Sequence, residues 1–224
     1  MNNPLARATL YGTAELELVL VRHGQQIPLV ERNEEEHHDP PLSELGQRQI
    51  VAVADHLAGE QIDAVYSSHL VRARETGAAI ADRLGLEPAI IEDLREVELF
   101  DHDVPRGQTW EELNRQPEWV ASREMFVETG RWDAFPFSED SDPFRTRIRS
   151  AFAEIVERHP SGKVVVACHG GVINGFVADV LGIDRDFWFR TVHCSVNRVF
   201  VGEGRMAVWN LNEIHHLPCD LMSA

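Results

Sequence analysis

The chain has 224 residues, of which 43% are hydrophobic and 26% are charged, a composition typical of a folded globular protein. Acidic residues outnumber basic residues by 37 to 21, which gives a formal net charge of −16 at pH 7. Proteins that coat nucleic acid or an anionic membrane surface need an excess of Lys and Arg, so this charge argues against both kinds of partner.

Strand and helix patterns alternate through the first part of the chain. Short apolar runs indicate buried strands, and Ser43 is a plausible N-cap for the first helix. The predicted elements up to residue 91 are a strand at 17–21, a polar loop at 25–41, a helix from Ser43 to about Gly59, a strand at 64–67, a helix at 71–84 closed by Gly85, and a short strand at 89–91.

The pattern weakens between Phe100 and Asp142, where Pro and Gly residues interrupt two predicted short helices. We interpret this segment as an insertion over the core, with Trp110, Trp119 and Trp132 as packing residues. The elements predicted after it are a helix at 143–159, a strand at 163–168, a helix at 172–181, and two antiparallel strands between 195 and 211 that are joined at residues 202–204.

Alternating helices and buried strands predict an α/β fold, a three-layer α/β/α sandwich with a mostly parallel central sheet. The sequence shows no linker, so we expect residues 1–224 to form a single domain, with the insertion at about 100–142 covering the active site. In such sheets, ligands bind outside the carboxyl ends of the strands.

Cysteine spacing and hydropathy both bear on the cellular compartment in which the protein works. Cys168, Cys194 and Cys219 form neither a zinc-ribbon pattern nor a disulfide framework. Residues 1–15 lack the basic and apolar regions of a signal peptide, and the apolar stretches are far shorter than the ~18 residues of a membrane span. We therefore expect a cytoplasmic protein.

Arginine and histidine side chains follow three of the predicted strands. Arg22 and His23 come after the first strand, Arg72 lies shortly after the second, and His169 follows the Val-rich strand. Two guanidinium groups can neutralise a dianionic phosphoryl group, and free N–H groups at the start of the next helix would add to the anion site. One imidazole can attack phosphorus while the other, protonated, stabilises charge on the phosphoryl oxygens.

Ordered motifs over most of the chain resemble the histidine phosphatase superfamily, also called the phosphoglycerate mutase-like family. The matching segments are Leu20–Gln25, Pro41–Gln49, Tyr66–Thr76, Leu94–Val97, Val165–Ile173 and, more weakly, Asn212–Leu217. The resemblance implies a phosphoglycerate mutase-like fold in which His23 becomes phosphorylated and Glu96 is the general acid. It also implies that Arg22, Arg72 and His169 surround the phosphoryl group.

An acid is needed near the phosphoryl group because the leaving alkoxide must take up a proton. The same carboxyl group could then activate the water that hydrolyses phosphohistidine. Glu98 and Asp103 are the alternatives to Glu96 for this role.

Three further residues are predicted to bind substrate. Gly24 and Gly170 would let the backbone approach an anion closely. Family members often carry Ser two positions after the first of these glycines and Asn three positions later, where this chain has Gln26 and Leu29, so a polar contact to phosphate is lost. We expect Gln25 to supply the missing contact.

Other departures from the family pattern also fall in regions expected to select the substrate. Phe100–Val104 replaces a Gly-x-Trp-Glu-Gly segment, and Phe137–Ser141 replaces a Gly-Gly-Glu-Ser segment. The extended loop containing Glu and Arg that mutases use after the acid is also not recognisable. These differences favour hydrolysis over isomerisation.

We therefore expect a metal-independent phosphatase that hydrolyses small phosphorylated metabolites through phosphohistidine at His23, without a cofactor. A cofactor-dependent phosphoglycerate mutase is one alternative, and a catalytically weak protein that binds a phosphorylated ligand or a partner is another. Adjacent histidines at 37–38 and 215–216 lack the spacing typical of metal ligands, so no metal site is predicted. The C-terminal hairpin could pair with a second chain and form a homodimer.

Overall fold

A six-stranded sheet forms the centre of the computed structural model, which describes residues 14–28, 31–32, 36, 39–98, 115–135 and 138–223. The strands are β1 (Leu16–Arg22), β2 (Ala64–Ser67), β3 (Ala89–Ile90), β4 (Gly162–Cys168), β5 (Val196–Gly202) and β6 (Arg205–Glu213). Their order in the sheet is β3-β2-β4-β1-β5-β6. Pairing is parallel from β3 through β1, and β5 is antiparallel to both of its neighbours. The sheet is therefore mostly parallel, as predicted.

Helices cover both faces of this sheet. In the described part of the chain they are α1 (Glu44–Leu57), α2 (Val71–Leu84), α3 (Pro117–Thr129), α4 (Ser141–Arg158) and α5 (Gly170–Leu181). Along β1, Leu18 and Leu20 belong to the core formed with α4 and α5, whereas Val19 and Val21 belong to the core formed with α1 and α2. A strand buried on both faces explains the continuous apolar run in the sequence. The predicted three-layer α/β/α fold is confirmed.

Local signals explain most of the helix ends. Ser43 caps α1 as predicted, because its Oγ accepts a hydrogen bond from the N–H of Gly46 at 3.1 Å. Gly85 has a left-handed φ of 67° and closes α2, also as predicted. Helix α1 ends at Leu57, two residues before the expected Gly59, and α5 begins two residues before the expected start.

The described part of the insertion contains one longer helix, α3, and a short 3-10 helix at Trp132–Ala134. Trp119 and Trp132 are buried; Trp132 stacks on Phe126, and Trp119 packs against Phe135 in a tilted arrangement, which agrees with the predicted packing role. Trp110 lies outside the described residues.

The C-terminal strands form the predicted hairpin, with β6 at one edge of the sheet. Its turn places Glu203 and Gly204 at φ values of 52° and 71°. Pairing of this edge with a second chain stays a prediction. Among the described helices, none has the length and apolar character needed to cross a bilayer.

Candidate active site

The parallel pairing of β1 with β4 brings two predicted site residues together. Arg22 ends β1 directly opposite Cys168, which ends β4. The next residues along the two strands, His23 and His169, therefore lie about one strand spacing apart, with ring centroids separated by 5.1 Å. Both imidazoles are buried.

His23 presents its Nε2 atom to the site. Its Nδ1 lies 2.7 Å from the carbonyl oxygen of Gly24, and because a carbonyl can only accept, Nδ1 carries the ring proton. Arg72 Nε donates to the remaining nitrogen, Nε2, at 3.3 Å. Burial, and then the positive charge of Arg72, lower the pKa of His23 well below its ordinary value. The ring is therefore neutral, with the lone pair that a nucleophile needs on Nε2.

Arg72 is placed by the start of α2 and by a carboxylate that the sequence analysis missed. Both carboxylate oxygens of Asp39 accept from the N–H of Val71, at 2.9 and 3.1 Å. Asp39 Oδ1 also lies 3.6 Å from Arg72 Nη1. Thr76 Oγ1 donates to the Arg72 carbonyl at 2.7 Å and accepts from the N–H of Gly24 at 3.2 Å. These bonds fasten α2 to the loop that follows His23.

Arg22 approaches the site from the end of β1. Its Nη1 donates to the carbonyl of Thr191, in the segment that precedes β5. Burial lowers the pKa of Arg22 to about 10, so the guanidinium remains charged at neutral pH. Among the described residues, no carboxylate accepts a hydrogen bond from Arg22.

Buried nitrogen atoms without a hydrogen-bond partner cluster around His23. Among the described residues they include Arg22 Nε, Arg72 Nη1, and both ring nitrogens of His169. Buried polar groups are normally paired, so such a cluster indicates a place for a ligand. Because guanidinium nitrogens only donate, the complementary ligand is an anion rich in acceptor oxygens.

His169 is neutral in the absence of such an anion. Burial and the charges of Arg72 and Arg22 lower its pKa well below the ordinary value. A bound dianion would favour the protonated imidazole again, as the sequence analysis expects for the second histidine.

Glu96 is fixed at the wall of a cavity that adjoins these residues. Its carboxylate accepts from the N–H groups of Val97 and Gly171, at 3.0 and 3.1 Å. A Cβ atom on Gly171 would run into Glu96 Oε1, so this close approach requires glycine. One N–H at the start of α5 therefore binds Glu96, although the sequence analysis expected it to bind the anion. The cavity measures about 190 Å³ and is lined by Arg22, Glu96, Val97, Trp132, Gly170, Gly171, Phe187, Arg190 and Thr191.

The alternative acids are placed differently. Glu98 is exposed, and its carboxylate accepts from Arg95 Nε at 3.0 Å. Asp103 lies outside the described residues. Of the carboxyl groups at 96 and 98, the structure brings only the first to the cavity.

The two predicted substrate-binding glycines lie in tightly packed backbone. A Cβ atom on Gly24 would lie 2.8 Å from the carbonyl oxygen of Gly46, and one on Gly170 would lie 2.9 Å from Thr191 Oγ1. Both positions therefore exclude larger residues on packing grounds alone, and contact with a substrate stays a prediction.

Gln25 is held by neighbours in α1 and its cap. Its backbone N–H donates to Gln49 Oε1 at 2.8 Å, and its side-chain Oε1 accepts from Ser43 Oγ at 2.8 Å. Contact between its side-chain amide nitrogen and a substrate oxygen stays a prediction.

A third histidine lies near His23 and was not predicted from the sequence. The ring of His193 is buried, and its centroid lies 5.7 Å from that of His23. His193 precedes β5, which runs antiparallel to β1. The start of β5 therefore lies beside the carboxyl end of β1. The predicted antiparallel hairpin was the signal that could have placed this residue at the site.

Another polar cluster lies at the far end of α1. Among the described residues, His56, Glu213 and His215 offer ligand atoms within 4.8 Å of one another. His56 Nε2 donates to Glu213 Oε1 at 2.9 Å, and the other oxygen accepts from Asn210 at 2.6 Å and from Arg198 at 3.2 Å. Both carboxylate oxygens are therefore already paired, and we assign this cluster no metal. Residues 37–38 lie outside the described part of the chain.

The chain is similar along most of its length to several known proteins. A phosphoglycerate mutase-like protein 4 of Arabidopsis thaliana is 36% identical over 90% of this chain and 86% of its own length. Phosphoserine phosphatase 1 of Hydrogenobacter thermophilus is 30% identical over 90% of this chain and 94% of its own. A mycobacterial glucosyl-3-phosphoglycerate phosphatase superposes with a TM-score of 0.74, at 28% identity over 89% of this chain and 99% of its own. The family model of the histidine phosphatase superfamily (branch 1) matches residues 18–214, and the chain therefore belongs to this superfamily.

Proposed function

We propose that the protein is a metal-independent phosphatase that hydrolyses small phosphomonoesters through phosphohistidine at His23. The observation that carries the proposal is the neutral Nε2 atom of His23, surrounded by buried guanidinium and imidazole nitrogens without hydrogen-bond partners among the described residues. Arg22 and Arg72 supply the positive charge that a phosphoryl dianion needs.

In the first step, the Nε2 lone pair of His23 attacks phosphorus and the bond from phosphorus to the leaving oxygen breaks. Glu96, in its acid form, gives its proton to that oxygen, so an alcohol leaves. Arg22, Arg72 and protonated His169 hold the nonbridging oxygens, where negative charge is concentrated.

In the second step, water attacks the phosphorus of phosphohistidine and the bond from phosphorus to Nε2 breaks. The Glu96 carboxylate takes a proton from the water, which returns it to the acid form for the next cycle. Inorganic phosphate leaves, and His23 is again neutral with its proton on Nδ1.

The proposed substrates are small phosphorylated metabolites. A net charge of −16 repels long polyanions, whereas the local cations and the cavity of about 190 Å³ suit a compact phosphomonoester. Two of the similar proteins reported above are named as phosphatases of small metabolites, which supports hydrolysis, and the third is named phosphoglycerate mutase-like, so isomerisation is included in the test below.

The test is hydrolysis of p-nitrophenyl phosphate by purified protein in the presence of EDTA. We expect turnover that orthovanadate inhibits, an acid-labile phosphoenzyme, and loss of both in His23→Ala. His159→Ala, which changes a half-buried histidine outside the site, is the control and should remain active. Full activity in His23→Ala contradicts the proposal, and so does isomerisation of a phosphoglycerate that outpaces its hydrolysis and depends on bisphosphoglycerate.

A further inference from the structure

His193 lies beside the proposed nucleophile but has no role in the scheme above. Its side chain is 6% exposed, and its ring centroid is 5.7 Å from that of His23, compared with 5.1 Å for His169. The nucleophile therefore has two imidazole neighbours at similar distances. Only one of them is predicted by the sequence motifs.

A continuous chain of hydrogen bonds holds His193. Its backbone N–H donates to the Ser223 carbonyl at 2.9 Å, and its Nδ1 lies 2.9 Å from Ser223 Oγ. Gln49, which is fully buried, donates from Nε2 to Ser223 Oγ at 2.8 Å and to the Leu221 carbonyl at 2.6 Å. Gln49 Oε1 accepts from the N–H of Gln25 at 2.8 Å. This series of hydrogen bonds therefore runs from His193 to Gln25, in the loop that follows His23.

The same bonds favour one position for the ring proton of His193. Because Gln49 Nε2 can only donate, the Ser223 oxygen accepts from it. The single Ser223 hydroxyl hydrogen is then free to be donated to His193 Nδ1, and in the tautomer that accepts it the ring proton lies on Nε2. Burial and the charge of Arg22 lower the pKa of His193 to about 3, so the ring is neutral and has one proton to donate.

The backbone next to His193 is strained and is hydrogen-bonded to a residue of the site. Cys194 has a φ of 54°, in the left-handed region that residues other than glycine seldom occupy. Such strain persists only where surrounding contacts impose it, and it is common at functional sites. Here the N–H of Cys194 donates to the carbonyl of Arg22 at 3.0 Å. The turn that carries His193 is therefore anchored to a phosphoryl-binding residue.

We propose that His193 is a third imidazole of the phosphoryl site, which donates its Nε2–H to a nonbridging oxygen of the phosphoryl group. Ser223 and Gln49 are the positioning residues that orient this ring. A neutral donor adds a hydrogen bond without adding to the repulsion between the two guanidinium groups. The bond strengthens as charge develops on the oxygen, which favours the transition state over the bound substrate. This inference rests on the proposed phosphatase function.

The test compares His193→Gln and His193→Asn with the wild type, after circular dichroism and thermal unfolding have shown that each variant folds. We measure kcat and KM with p-nitrophenyl phosphate, and affinity for orthovanadate and for inorganic phosphate. Both kcat/KM and vanadate affinity should fall about ten- to hundredfold, the range expected for one hydrogen bond to a charged oxygen. His159→Gln is the matched control, because this half-buried histidine bonds the Tyr66 hydroxyl instead, and it should keep both values.

Ser223 provides a second variant that does not change the imidazole. Ser223→Ala should weaken vanadate binding by releasing His193 Nδ1, and Ser223→Thr, which keeps the hydroxyl, should restore most of the affinity. A purely structural role for Ser223 would lower thermal stability without changing vanadate affinity. If both His193 variants fail to fold, the comparison of Ser223→Ala with Ser223→Thr still tests whether His193 binds the phosphoryl group.

Unchanged affinity for vanadate and phosphate in folded His193 variants overturns the inference. The outcome is separate from that of the proposed function. If the wild type binds phosphate but hydrolyses no phosphomonoester, the phosphatase proposal fails and the binding comparison still decides the role of His193. If the wild type turns over and the His193 variants match it, only the inference fails.

Discussion

Replacing Gly171 with alanine should distinguish the proposed role of Glu96 as general acid from the proposed roles of Arg22, Arg72 and His169 in phosphoryl binding. A Cβ atom at this position would overlap Glu96 Oε1, so the carboxyl group must move aside. The N–H of residue 171, which donates to Glu96 Oε2 at 3.1 Å, would then lose its partner. The fold should tolerate the change, because alanine is favoured over glycine in helices by up to about 1 kcal/mol.

The size of the effect follows from the displacement. Moving a catalytic group by about 1 Å costs about 100-fold in rate, or about 2.7 kcal/mol in activation free energy. The cost should depend on the leaving group, because an alkoxide needs a proton whereas nitrophenolate is a stable anion. We therefore expect kcat/KM to fall about 100-fold for an alkyl phosphate and less than about tenfold for p-nitrophenyl phosphate.

The assay measures kcat/KM for both substrates at one pH, since this ratio reports the cleavage of the ester bond. Vanadate affinity should stay within about threefold of the wild type, a difference of about 0.6 kcal/mol, because the phosphoryl-binding groups do not move. Gly175→Ala is the control on the same helix, where a Cβ atom would meet Phe144 Cε1 at 3.0 Å. Its effect should be equal for both substrates. Equal losses for the two substrates in Gly171→Ala would refute the assignment of Glu96 as the acid.

Three further predictions concern stability and substrate charge. Burial lowers the pKa values of His23, His169 and His193, so below about pH 6.5 the unfolded chain binds protons that the folded protein does not. The free energy of unfolding, measured with urea, should therefore fall from pH 7 to pH 5, by up to about 2 kcal/mol per histidine, and a flat profile contradicts this. Asp186→Ala should destabilise the protein by about 3 kcal/mol, because it leaves the buried Arg145 guanidinium without the carboxylate that it now meets at 2.6 Å. A loss below about 1 kcal/mol in urea unfolding would show that other partners suffice. Tripolyphosphate should be a poorer substrate than a monophosphate ester, and added salt should raise its kcat/KM by screening the net charge of −16; a decrease with salt would contradict the role of charge.

Much of the fold and part of the site could be predicted from local patterns. Strands β1 and β4, whose apolar runs are clear in the sequence, each end just before a histidine, and the carboxyl ends of parallel strands lie at the same side of a sheet. That rule is enough to bring His23 and His169 together, with Arg72 nearby. Ser43 and Gly85 acted as helix signals because capping depends on only a few neighbouring residues.

Features that depend on long-range contacts could not be predicted in this way. His193 could not be predicted from the ends of the parallel strands, because it precedes β5, which is antiparallel to its neighbours. Gln49 is typical of an exposed helix position, yet it is buried because its partners come from the C-terminal segment and the loop at Gln25. The sequence predicted that N–H groups at the start of α5 bind an anion. The three-dimensional structure was needed to show that the N–H of Gly171 binds Glu96 instead.

The pairing of β1 with β4 and β5 also bears on how the protein folds. β1 comes from the beginning of the chain, whereas its two neighbours come from residues 162–168 and 196–202. Contacts between such distant segments form slowly, because a long loop must close before they contribute free energy. The histidines at the ends of these strands can meet only when this central pairing is complete. Recovery of activity during refolding should therefore coincide with the last phase of structure formation, and partly folded chains should be inactive.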